Sequence, residues 1–126
     1  DDLIYSALEG IAFRVAQVIE AMEKTPGIGI GTLRVDGGLS RCSTLMQLQA
    51  DMLGRPVEVV TNTEATAHGI ACFAARSLGY WTTDDEVARR VHVQQKFGPQ
   101  RDDDWRKQRT SRLAEAQQLA RGWGNQ

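Results

Sequence analysis

The chain has 126 residues, of which 25% are charged and 41% hydrophobic, and its formal net charge is −1. This length suits one domain or part of one, and the hydrophobic content is too high for a disordered chain. No apolar run approaches the ~18 residues of a transmembrane helix, and we expect no signal peptide. The balanced charge gives no general electrostatic reason to bind nucleic acid or an anionic membrane.

The composition divides the chain into two parts. Residues 1–83 are apolar-patterned and hold 6 basic and 9 acidic residues, whereas residues 84–126 hold 9 basic and 7 acidic residues and few aliphatic ones. We therefore expect a partial domain over 1–83 and a helical C-terminal extension over 84–126 that packs on it, because the second part lacks the residues for a core of its own.

The first two elements are predicted from periodicity and from the residues that end them. Apolar residues at the three- and four-residue spacing of one helix face predict a helix over 3–24, which Pro26 and Gly27 end. A short, partly β-branched stretch over 33–36 predicts a strand that stops at a pair of glycines.

The later elements are predicted in the same way. Thr44 with Gln47, and Thr61 with Glu64, have the spacing of capping boxes at the starts of two helices. In chain order, the elements predicted after the first strand are a helix over 44–53, a strand over 56–60, a helix over 65–78, a helix from Thr83 and a helix over 102–121.

A strand–helix–strand unit predicts a parallel strand pair with a right-handed crossover. Parallel sheets are normally covered on both faces and contain more than two strands, and two strands cannot cover three apolar helices. We therefore expect a piece of a larger α/β domain whose other strands lie before residue 1. Oligomerisation that completes the sheet is the alternative.

The sequence offers little sign of metal or disulfide chemistry. No set with metal-ligand spacing is formed by the two cysteines, Cys42 and Cys72, and the two histidines, His68 and His92. We predict no metal site in this chain, and we expect both thiols to be reduced in a cytoplasmic protein.

The chemically distinctive feature is the glycine turn after the first predicted strand, Gly37 and Gly38. Ligands of open α/β sheets bind at the carboxyl ends of strands, and glycines there let a ligand approach the backbone. Taken alone, Asp-Gly-Gly is more often a tight turn that needs a positive φ. It is neither a phosphate-binding P-loop nor a dinucleotide fingerprint, because the further residues of those motifs are missing.

A wider pattern adds to this interpretation, because an ordered set of motifs over nearly the whole chain resembles the FGGY family of carbohydrate kinases, and within it the glycerol kinases. The matching segments are Asp36-Gly37-Gly38, Leu45-Met46-Gln47 with Gln49-Ala50-Asp51, Glu64-Ala65-Thr66-Ala67, Gly79-Tyr80-Trp81, Phe97-Gly98-Pro99 and Arg121-Gly122-Trp123.

The resemblance implies a fold and an activity. The fold is α/β, part of an actin-like (ribonuclease-H-like) ATPase domain with a parallel strand pair flanked by helices and a helical C-terminal tail. The expected activity is that of the nucleotide-side, carboxyl-terminal portion of an ATP-dependent kinase that phosphorylates glycerol, using ATP and Mg²⁺. Its partners would be ATP or ADP, a small polyol or sugar, the missing N-terminal domain and a second copy in a homo-oligomer. The chain alone is expected to be inactive.

Two other functions stay open within the same resemblance. One is a kinase for another acceptor, such as xylulose or gluconate, because the acceptor contacts of the family lie mostly outside this segment. The other is a non-catalytic nucleotide-binding or regulatory module of the same ancestry. A helical interaction domain with an incidental glycine turn is a third hypothesis, and it predicts no parallel strand pair at 33–36 and 57–60.

The resemblance also assigns site residues. It implies that Gly37 and Gly38 lie against the adenosine part of the nucleotide. Cys42 occupies the position near the adenine where glycerol kinases usually have asparagine, and a thiol cannot copy the paired donor and acceptor of an amide.

No catalytic residue is assigned to this chain. The general base of the family is an aspartate near the acceptor site in the first part of the longer chain, and nothing here matches its setting. Asp36 is expected to be structural, and Asp51 and Glu64 are expected to lie on a helix surface and at a helix start.

Overall fold

The computed structural model describes residues 2–27, 29–60, 65–80, 83 and 92–123. The helices are α1 (Asp2–Glu23), α2 (Ser43–Leu53), α3 (Ala65–Ser77) and α4 (Asp103–Trp123). The strands are β1 (Leu33–Val35), β2 (Val57–Val60) and β3 (Val93–Phe97), and a 3₁₀ turn spans Gly38–Arg41. The bounds agree within two residues with the predictions for these four helices and for the first two strands.

Three predictions about helix starts have different outcomes. Cys42 is the N-cap residue of α2 and makes no side-chain capping hydrogen bond, so the capping box predicted for Thr44 and Gln47 is wrong. The predicted capping box of Thr61 with Glu64 and the helix predicted after Thr83 lie outside the described residues.

The three strands form a mixed sheet in the order β1-β2-β3. β1 and β2 are parallel, with Leu33 opposite Val57 and Val35 opposite Val59, which confirms the predicted pair and contradicts the helical interaction domain. β3 is antiparallel to β2 and places Phe97 opposite Val57. Strand β3 was not predicted, because Phe97 is its one buried residue and the strand has no alternating apolar pattern.

The hydrophobic core lies between the sheet and helices α1 and α2. Successive residues of a strand point to opposite faces of the sheet, so Val57 and Val59 of β2 lie on the same face. Val57 and Val59 are buried against the helices, and Leu45 of α2 is 1% exposed. Buried residues of the core cluster are Ala12, Phe13, Ala16, Leu45, Met46, Leu48, Ala50, Met52, Val57, Val59 and Phe97.

Helix α4 packs on this core through Trp105, Leu113 and Ala114. Arg109 of α4 donates from Nε to Oε1 of Glu9 in α1 over 2.7 Å, and Glu9 is 6% exposed. This ion pair joins the last helix to the first. None of the helices in the described ranges is long and apolar enough to cross a lipid bilayer.

Candidate functional site

The glycine turn lies where β1 ends, at the edge of the parallel strands to which ligands of open α/β sheets bind. Gly37 has φ +84° and ψ −177°, a backbone region that only glycine adopts readily. Ser40 donates to the Gly37 carbonyl from both its Oγ, over 2.7 Å, and its backbone N–H, over 3.2 Å. The chain therefore turns sharply out of β1 and into the 3₁₀ turn.

Space beside both glycines is open. A Cβ built on Gly37 or on Gly38 would meet no atom within 4 Å, and Gly38 does not have a positive φ. Neither internal packing nor backbone conformation accounts for glycine at position 38. What glycine provides there is an unobstructed backbone, which leaves room for a ligand to approach closely.

Cys42 links this turn to helix α2. Its backbone N–H donates to the Leu39 carbonyl over 3.0 Å, and its carbonyl accepts the Met46 N–H over 3.1 Å. The half-buried side chain packs against the hydrophobic core. The structure thus brings Gly37, Gly38 and Cys42 together in one short segment between β1 and α2, with the Cys42 thiol partly turned to the core.

Asp51, expected on a helix surface, is buried with 5% of its surface exposed, so that expectation is wrong. Its Oδ1 accepts the Gln100 N–H over 2.6 Å and the Gln47 Nε2–H over 3.0 Å. Gln47 also donates from Nε2 to the Gly98 carbonyl over 2.9 Å. Gln47 and Asp51 stand one helical turn apart, and this i,i+4 pairing was the available sequence signal.

A groove of about 420 Å³ borders this pair, between α2, the start of α1 and the segment that joins β3 to α4. Two of its polar lining residues, Gln47 and Asp51, are already hydrogen-bonded to that segment. The guanidinium of Arg101 lies 5.7 Å from the centroid of the Trp105 ring. Much of the polar lining of this groove therefore already contacts other groups of the protein.

Two glutamates away from the turn have perturbed ionisation. The Lys96 ammonium and, after it, the Arg34 guanidinium hydrogen-bond Glu58 and hold the pKa of that carboxyl below its ordinary value. A hydrogen bond from Arg55, followed by one from the Ile30 N–H, lowers the pKa of Glu23. Both are structural ion pairs. Within the described ranges, no group of three His, Cys, Asp or Glu side chains is arranged to hold a metal ion.

Comparison with known proteins gives consistent matches. The model of the family described as "FGGY family of carbohydrate kinases, C-terminal domain" matches residues 1–78. A glycerol kinase of Pseudothermotoga lettingae is 38% identical over 123 residues, which cover 98% of this chain and 25% of that protein. A glycerol kinase of Deinococcus radiodurans is 40% identical over 118 residues, or 94% of this chain and 24% of that protein. The chain thus spans about a quarter of the length of these curated relatives.

Solved structures share the fold. The crystal structure of Plasmodium falciparum glycerol kinase with ADP matches with a TM-score of 0.77 and 30% identity, over 89% of this chain and 22% of that one. Xylulose kinase from Rhodospirillum rubrum matches with a TM-score of 0.78 and 21% identity, over 94% of this chain and 24% of that one. At this identity, the match shows the fold alone. The predicted fold class is confirmed. Since the family model covers more than half of the chain, the chain belongs to the FGGY family of carbohydrate kinases and forms part of its C-terminal domain.

Proposed function

We propose that the longer protein containing this chain transfers the γ-phosphoryl group of ATP to glycerol, and that this chain supplies the nucleotide side of the site. The observation that carries the proposal is the open glycine turn at the end of β1 in a member of a carbohydrate kinase family. Relatives named glycerol kinase, at 38% and 40% identity, favour glycerol as the acceptor.

In this proposal Gly37 and Gly38 lie against the adenosine part of ATP. The open backbone beside both glycines fits a flat, ring-bearing group. Cys42 borders the same site and supplies at most a weak thiol contact, because its side chain packs partly on the core. Phosphoryl transfer depends on positioning and on charge neutralisation by Mg²⁺, and we place the general base and the Mg²⁺ ligands in the rest of the protein.

The proposal includes an organisation for the longer chain. Residues 1–83 form part of the actin-like domain, and residues 84–126 extend it by adding β3 to its sheet and by packing α4 on its core. Ion pairing of Arg109 with Glu9 supports that packing. The remaining partners are the N-terminal domain that completes the cleft, and a second copy of the protein, in a cytoplasmic enzyme.

The test is an acceptor assay on the full-length protein. We expect ATP-dependent phosphorylation of glycerol with a higher kcat/KM than that of xylulose or gluconate. A higher kcat/KM for xylulose or gluconate would support the kinase activity and contradict glycerol as the acceptor. If none of a panel of polyols and sugars is phosphorylated, the proposed kinase activity is wrong.

A second function, the non-catalytic nucleotide-binding module, is favoured by one observation. Cys42 stands where the glycerol kinases usually have asparagine, and a thiol cannot form the two directed hydrogen bonds of an amide. This function predicts that the full-length protein does not consume ATP when glycerol is added. Glycerol-dependent ADP release in a coupled assay would exclude it.

A further inference from the structure

The segment that follows β3 is fastened to helix α2 at two places. At the first place, Gln47 and Asp51 hold the backbone of Gly98 and Gln100 through bonds of 2.9 and 2.6 Å. Since Asp51 is 5% exposed, its carboxylate is shielded from water, and a charge-assisted hydrogen bond is strong in such surroundings. We call residues 98–106 the strap.

At the second place the strap covers the carboxyl end of α2. Gly54 caps this helix with φ +65°, and a Cβ built there would lie 2.9 Å from Cζ of Arg106. Arg106 donates from Nη1 to the Arg101 carbonyl over 2.6 Å, so its guanidinium is fixed in this position. A cation at a helix carboxyl end is favourable because it faces the negative end of the helix dipole.

The strap is anchored beyond α2 as well. Phe97, just before it, is buried in the core, and Arg109, just after it, pairs with the buried Glu9 of α1. Helix α2 is thus held from its second turn to its C-cap by a segment that is itself fixed to the sheet and to α1. Movement of α2 against the sheet would break these bonds.

Helix α2 begins directly after the glycine turn, since the 3₁₀ turn Gly38–Arg41 and Cys42 alone separate Gly37 from Ser43. The Met46 N–H bond to the Cys42 carbonyl continues the helix up to that segment. We propose that Asp51 is a positioning residue for the nucleotide: by holding α2 to the strap, it fixes the Gly37–Gly38 turn without touching ATP. This inference rests on the proposed function.

The test compares nucleotide binding by full-length variants. In Asp51→Ala, the Gln100 N–H loses its acceptor and the Gln47 amide keeps only the Gly98 carbonyl. We expect the Kd for ADP, measured by titration calorimetry, and the KM for ATP to rise by about three- to tenfold, within the range of indirect couplings through a packed network. The KM for the acceptor is expected to stay within about twofold, because its contacts lie elsewhere. In Asp51→Asn, an amide oxygen still accepts both bonds, so we expect partial rescue.

A matched control and a milder variant keep the test decisive. Glu20→Ala removes an exposed carboxylate of α1, outside the strap, and is expected to leave both nucleotide constants unchanged. If Asp51→Ala does not fold, Gln47→Ala, which leaves the Asp51–Gln100 bond in place, is expected to raise the Kd for ADP by about two- to threefold, with exposed Gln108→Ala as its control.

Two outcomes overturn the inference in distinguishable ways. The first outcome is a lower Tm with an unchanged Kd for ADP, measured well below that Tm, in the folded Asp51 variants. Gln47→Ala takes their place if Asp51→Ala does not fold. This outcome means that these residues are structural, and the proposed function stands. If the unsubstituted protein does not bind ADP, the proposed function fails and the inference fails with it.

Discussion

At the scale of single residues, the two glycines of the turn are glycine for different reasons. Gly37 has a positive φ of +84°, so its backbone conformation requires the residue. Gly38 has no positive φ, and a Cβ there would meet no atom within 4 Å. Gly38 thus leaves room beside its backbone, and in the proposed function the adenosine of ATP occupies that space.

This difference predicts opposite effects of two alanine substitutions in the full-length protein. Gly37→Ala is expected to lower the free energy of unfolding by about 1–3 kcal/mol, the usual cost of a residue held in a sparsely populated backbone region. Gly38→Ala is expected to leave it within about 0.5 kcal/mol of its original value, yet to raise the KM for ATP because a methyl group occupies the open space. Urea denaturation and steady-state kinetics measure the two quantities. Equal destabilisation by both substitutions would contradict this assignment.

At the scale of elements, the face of the sheet opposite the helices carries a row of charges across all three strands. Glu58 of β2 accepts from Arg34 of β1 over 3.3 Å and from Lys96 of β3 over 3.1 Å. Arg34 and Lys96 lie opposite Glu58 in the strand register, so the ion pairs follow from the pairing of the strands.

The row of charges predicts a pH dependence of stability. The pKa of Glu58 lies below its ordinary value of 4.5 in the folded protein, chiefly because Lys96 hydrogen-bonds the carboxylate. A lowered pKa means that the unfolded chain binds the proton first, so this contribution is present above about pH 4.5 and is lost as the pH falls through the folded pKa. We expect Glu58→Gln and Lys96→Gln to flatten the loss of stability between about pH 6 and pH 3, measured by chemical denaturation. If the free energy of unfolding falls with pH as steeply in both variants as in the unsubstituted protein, Glu58 is not a source of this loss of stability.

Apolar periodicity and the residues that end helices and strands predicted most of these elements. The features that were not predicted depend on contacts between residues far apart in the sequence. Helix α1 and strand β1 have their own apolar pattern and a glycine or proline stop, so their bounds are local information. Strand β3 exposes four of its five residues and is held by pairing with β2, more than 30 residues earlier. The glycine turn was found from its position after a strand. The burial of Asp51 was not, because its partner Gln100 lies 49 residues away in the sequence.

At the scale of the whole molecule, large apolar side chains remain exposed on α1 and α3. Ile4 and Ile70 are each 67% exposed, and Phe73 is 78% exposed. Ile70 and Phe73 stand three residues apart on α3, and a folded chain rarely leaves neighbouring side chains of this size in water without a partner. The chain spans 25% of the length of a relative it matches, and in the proposed function the rest of the longer protein supplies neighbours for these side chains.

The isolated 126-residue chain is accordingly predicted to be inactive and to bind ATP weakly or undetectably. Ligand sites gain affinity by burying most of the ligand surface, and in the proposed function the glycine turn forms only one open wall of the nucleotide site. Phosphoryl transfer also needs a general base and an acceptor pocket, which we place in the rest of the protein. Titration calorimetry with ATP and a coupled ADP-release assay, each run beside the full-length protein, measure both properties. Glycerol phosphorylation by the isolated chain would contradict this prediction. So would a Kd for ATP within about tenfold of the full-length value, because a tenfold difference corresponds to only about 1.4 kcal/mol of binding free energy. Either result would mean that residues 1–126 hold a more complete site than one wall can provide.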